Sequence, residues 1–147
     1  MFNTNSRDIS MINQVFNNTD TMNVNWLQHT KVNDKFELSN QYANICQQHR
    51  QEKKWVLFIN PEESSIEQLA KTHGIDVSKI LMVNYKNTSS TRAKVELNQI
   101  KFVLAKGNCA AVILSNSIFE ANEIAELESS AKTGKTHCFL VKQTQLH

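Results

Sequence analysis

The chain has 147 residues, 40% of them hydrophobic, which suits one globular domain and leaves no apolar run near the roughly 18 residues that a bilayer span needs. Sixteen basic and fourteen acidic residues give a formal charge of +2, with the two signs interspersed, so no broad positive field exists to hold a nucleic-acid backbone. Three widely spaced cysteines, Cys46, Cys109 and Cys138, and the lack of a basic-then-apolar start at Met1–Arg7 fit a reducing cytoplasm and no secretory signal.

Residues 1–33 are rich in Asn, Thr and Ser, with one small apolar cluster (Ile9, Met11, Ile12, Val15, Phe16), and read as a disordered N-terminal tail. Order is expected from Asp34. Phe36, Leu38, Tyr42, Ile45, Cys46 and His49 recur at helical spacing and predict a helix over 35–50. Trp55–Ile59 is a continuous apolar run stopped by Asn60-Pro61, the pattern of a strand covered on both faces. Ser64 and Glu67 have capping-box spacing, and Ile66, Leu69 and Ala70 form a stripe that ends at Gly74.

The alternation then repeats. Ile80–Val83 reads as a second strand, and Ala93, Leu97, Ile100 and Leu104 mark a long helix closed by Gly107. Ala110–Leu114 is a third strand. Ser117 and Glu120 suggest another capping box, Ala121, Ile124, Leu127 and Ala131 another helix, and Cys138–Val141 a last strand. Apolar strands separated by helices imply parallel pairing with right-handed crossovers, hence an α/β fold: an open, mostly parallel sheet of about four strands with helices on both faces. The expected organisation is a tail over 1–33, one α/β domain over 34–142 and a short tail over 143–147.

Strand-to-helix loops are where such sheets bind ligands. Here they are poor in the needed chemistry. Asn60-Pro61-Glu62-Glu63 has no glycine and two carboxylates, and Ser115-Asn116-Ser117 reads as a cap. Tyr85–Ser90 offers hydroxyls and Lys86 at a helix start, which leaves a small-molecule enzyme site there as one alternative. Gly134-Lys135-Thr136 imitates the end of a phosphate-binding loop, but Ser129 replaces the first glycine and the segment leaves a helix for a strand, the reverse of what phosphate binding requires. A helix stop, with Gly134 permitting a left-handed turn, is the plainer reading; a nucleotide-responsive regulatory module acting through Lys135 and Thr136 is the alternative. The five histidines show no metal-ligand spacing, and Cys109 and Cys138 at strand starts read as small buried hydrophobes. No catalytic set, metal or cofactor is expected, and a binding protein is the economical conclusion.

Lys54-Trp55-Val56-Leu57-Phe58-Ile59-Asn60-Pro61, followed by a helix, Gly74-Ile75 and Lys79-Ile80-Leu81, resembles the signature segment of the bacterial SOS cell-division inhibitor SulA family. There a basic residue and Trp open the first strand, Pro ends it, and Gly followed by Lys or Arg opens the second. The likeness runs on more weakly through Gly107, Ala111–Leu114 and Ile124–Ala131, covering about residues 50–142. Family members often carry Trp at the position of Leu69 and another near Leu114-Ser115-Asn116.

The resemblance implies a trimmed RecA-like domain without a nucleotide site, often dimeric, that binds the tubulin-like GTPase FtsZ and blocks its polymerisation. It maps partner contacts to Lys54, Ile59, Leu69 and Lys79, and it makes His147, in a tail that Lon protease would read, a candidate degradation signal. It implies no enzymatic activity; the absence of a membrane or nucleic-acid role is expected from composition and charge. Physically, Lys54 and Lys79 each begin a strand, so a parallel sheet puts both at its amino-terminal edge. Leu69 fits a core role at least as well as an interface role, and Ile59 and Trp55 read as core.

Overall fold

The computed structural model describes residues 24–85 and 90–144. The elements run β1 (Leu27–Val32), α1 (Lys35–Gln48), β2 (Trp55–Ile59), α2 (Glu63–Lys71), a short 3-10 turn (Val77–Lys79), β3 (Ile80–Val83), α3 (Ser90–Lys106), β4 (Cys109–Ser115), α4 (Ala121–Gly134) and β5 (His137–Gln143). One five-stranded sheet has the order β1-β5-β4-β2-β3, with every pairing parallel.

The α/β class is as the alternation predicts, but the sheet has five strands, not about four. The extra strand lies inside the segment expected to be a tail. In β1 only Leu27 and Val32 are buried, while Gln28, His29 and Lys31 are exposed. An edge strand owes its order to backbone pairing, here the ladder from Leu27–Cys138 to Val32–Gln143, so its side chains can stay polar. At the other end Gln143 belongs to β5 and not to a terminal tail.

Two cores flank the sheet. Val56, Phe58, Ala111, Ile113, Phe139 and Val141 pack on one face under Tyr42, Ile45 and Leu69 of α1 and α2. Leu57, Ile59, Val112, Leu114 and Cys138 pack on the other under Leu104, Leu127 and Ala131 of α3 and α4. β4 is buried along all seven residues, as its central place and continuous apolarity demand. β3 differs: although apolar, it is the other edge strand, and Leu81 and Met82 are 41% and 55% exposed.

The helix starts use other caps than the spacing suggested. Asp34 caps α1, accepting from the Glu37 N–H at 2.9 Å. Glu62, not Ser64, caps α2, and at α4 the Glu123 carboxylate accepts from the Glu120 N–H at 2.8 Å. Carboxylates serve here because they meet the positive end of the helix dipole as well as its unpaired N–H groups.

Candidate functional site

A cavity of about 310 Å³ opens at the amino-terminal edge of the sheet. It is lined by Lys54 and Val56 from the start of β2, Lys79 and Ile80 from the start of β3, the turn Gly74–Asp76, and the end of α1 from Cys46 to Glu52. Adjacency of β2 and β3 in a parallel ladder, Val56 opposite Ile80, brings the two lysines to one edge. The turn between them is set by Gly74, which adopts φ 65° after α2 so that the Ile75 N–H reaches back to the Leu69 carbonyl at 2.8 Å.

The charges around the cavity are unequally engaged. Glu52 accepts a hydrogen bond from His49 Nδ1 at 2.5 Å, and Asp76 accepts from the Ser78 N–H at 3.0 Å, a bond that heads the causes holding its carboxyl below the ordinary range. Lys54 and Lys79 form no ion pair among the described residues. Lys54 lies near enough to Cys109 to oppose the rise that burial imposes on that thiol. The edge therefore presents two cations outside any salt bridge among the described residues, with Lys79 near enough to Asp76 to help lower its carboxyl, and it exposes Trp55 (42%) and Val77 (47%) as well.

His137 extends this edge inward from the start of β5. Its ring lies tilted against those of Trp26, centroids 4.7 Å apart, and His49, 5.1 Å apart, and burial, then the His49 charge, lower its pKa against a smaller pull from Glu52. Lone histidines on separate elements gave no sequence signal for this cluster. Among the described residues no group of three His, Cys, Asp or Glu side chains is arranged to hold a metal ion.

The other expected contact residues do not join the two lysines at the surface. Leu69 is fully buried between α1 and α2, and Ile59 is 2% exposed at the end of β2, on the opposite face and at the opposite edge. Each is core because it occupies the inward position of its element, so neither can touch a partner without repacking. Trp55 moves the other way, from expected core to exposed surface. His147 lies outside the described residues, as do residues 86–89 of the loop around Lys86.

The phosphate-loop imitation is explained by packing. Thr136 is buried and its Oγ1 donates to the Leu104 carbonyl at 2.9 Å. The left-handed residue is Lys135, at φ 55°, not Gly134. Gly134 is needed for closeness: a Cβ there would stand 1.9 Å from the Leu104 carbonyl oxygen.

One serine–histidine contact has no counterpart in the sequence reading. Ser39 Oγ lies 3.0 Å from His73 Nε2, with Ser39 buried in the middle of α1, and no carboxylate is hydrogen-bonded to that ring among the described residues. The contact ties α1 to the end of α2; it lacks the third group that would orient a catalytic base.

No family model and no curated protein matches the chain. Among solved structures the fold is similar to that of SulA from Pseudomonas aeruginosa, with a TM-score of 0.64 and 15% identity, over 80% of this chain and 98% of that one. The likeness is one of fold.

Proposed function

We propose that this protein is a non-enzymatic, SOS-induced inhibitor of cell division that binds FtsZ in the cytoplasm and blocks its GTP-dependent polymerisation by stoichiometric capping. The observation that carries the reading is the junction of Lys54 and Lys79 at one cavity on the amino-terminal edge of a sheet whose fold is similar to SulA. The resemblance of the segment from Lys54 to Leu81 to the family's signature and the likeness of fold both support the reading, one through residue types and spacing, the other through architecture.

The surface has the character of a protein interface. Lys54 and Lys79, in no salt bridge among the described residues, attract an acidic partner, and exposed Trp55 and Val77 supply the apolar contacts that hold it. Trp55 takes the anchoring role that Trp commonly has in interfaces, in a chain whose family-like contact positions Ile59 and Leu69 serve the core. Ile59 and Leu69 then act from beneath, by fixing β2 and α2. Homodimerisation and removal by Lon through a tail ending in His147 belong to the same proposal.

Capping consumes one inhibitor per blocked subunit, so inhibition follows the ratio of the two proteins and saturates. Sedimentation of FtsZ polymer with GTP across a titration of this protein tests it. Loss of polymer in proportion to the protein added supports capping; undiminished polymer at several-fold excess refutes it.

A further inference from the structure

The carboxyl-terminal edge of the sheet holds a second cavity, of about 290 Å³. It lies where the strand order reverses: from β2 the chain goes outward to β3, then returns to the other side of β2 as β4 and continues to β5. Parallel sheets open a crevice at such a reversal, and ligands of α/β proteins gather there. Ile59 and Ser115, the last residues of β2 and β4, line its base, and Leu97, Ile100 and Phe119 supply apolar wall.

The rim is held in place twice by the same device. Asn60 and Asn116 follow β2 and β4 in left-handed conformations, φ 53° and 56°. Asn60 Oδ1 accepts from the Tyr85 N–H at 2.7 Å and Asn116 Oδ1 from the Gln143 N–H at 3.1 Å. Both amide oxygens are thus used to fasten loops.

One polar group in the crevice is left over. Glu96 Oε1 is buried and accepts no hydrogen bond among the described residues. Its charge is felt by Tyr85, whose phenol is raised first by burial and then by Glu96. The Tyr85 hydroxyl itself is committed to Gln99 Oε1 at 2.9 Å. A buried acceptor without a donor is costly, and a bound donor recovers that cost. The carboxylate also repels phosphates and carboxylates, so the usual anionic ligands of this place in the fold are the wrong kind.

We propose that this crevice binds a small amphipathic primary amine, its ammonium donating to Glu96 and its alkyl body lying against Leu97, Ile100 and Phe119. The inference is independent of the partner surface on the opposite edge.

The test is a titration of the full chain, followed by backbone amide NMR shifts, with 3-methylbutylamine and its near-isosteres 3-methylbutanol and 4-methylpentanoate. Saturable shifts for the amine alone, centred on Tyr85, Glu96, Asn116 and Phe119, are expected. Glu96→Gln should weaken amine binding about tenfold or more while leaving the remaining spectrum in place, since hydrogen bonds to charged groups are the strong ones. Ser117→Phe, at a half-buried position of the loop that lines the cavity, should abolish it by filling the space. Equal binding of the alcohol, shifts scattered over the surface, or full amine affinity in either variant would overturn the proposal.

Discussion

Gly134 and Leu104 meet where the ends of α4 and α3 cross, so closely that a Cβ on Gly134 would lie 1.9 Å from the Leu104 carbonyl oxygen. The next two residues complete the junction, Lys135 as a left-handed cap and Thr136 as donor to that same carbonyl. Gly134→Ala must push the two helix ends apart and should destabilise the fold by about 2 kcal/mol or more, by the cost of overpacking a close contact. Lys135→Gly should act oppositely, relieving a non-glycine residue at positive φ by about 0.5–1 kcal/mol. Urea denaturation of both variants checks the pair of signs.

A second buried contact joins α1 to the end of the central strand. Tyr42 and Ser115 share a hydrogen bond of 2.6 Å between hydroxyls, and both residues are buried. Tyr42→Phe keeps the ring against Phe58 but leaves Ser115 without that partner, a loss of about 1–3 kcal/mol. Chemical denaturation measures it; a change under about 0.5 kcal/mol would mean the hydroxyl found another partner.

Glu62 supplies the acid sensitivity of α2. Burial works to raise its pKa, but the hydroxyls of Ser64 and Ser65, the Ser65 N–H and Lys35 together outweigh it and bring the carboxyl down to about 2. A depressed carboxyl stabilises the fold above its unfolded value of 4.5 and loses that contribution as pH falls from there toward about 2. Over this window the native protein should lose about 2–3 kcal/mol more than Glu62→Gln does, as followed by denaturation at stepped pH.

The thiols should be inert in the folded chain. Burial pushes Cys46 up to about 11 and Cys138 up to about 12, so neither carries appreciable thiolate at neutral pH. A disulfide reagent should modify them at the rate of unfolding, and the rate should follow denaturant concentration. Prompt reaction of Cys138 under native conditions would contradict its place in the core.

Much of the fold was legible because burial on both faces writes continuous apolar runs into β2 and β4, and packing against a sheet writes 3.6-residue stripes into the helices. β1 was not legible, since Leu27-Gln28-His29-Thr30-Lys31-Val32 buries only its ends and takes its order from a ladder to residues 111 positions away in the chain. β3 was legible as a strand but not as an edge, because strand order is decided by the crossovers and leaves no local mark. Of the site, the shared edge of Lys54 and Lys79 followed from parallel topology alone. The inward facing of Ile59 and Leu69, the exposure of Trp55 and the gathering of His49, His137 and Trp26 depend on side-chain packing across elements distant in sequence.

The account rests on the cationic edge, and the most direct measurement is the FtsZ sedimentation titration run in parallel with Lys54→Ala, Lys79→Ala and the double variant, each first shown to melt like the parent. The account predicts that the parent removes polymer in proportion to its amount, that each single variant needs several-fold more protein, and that the double variant is near inactive. Full inhibition by the double variant would contradict it.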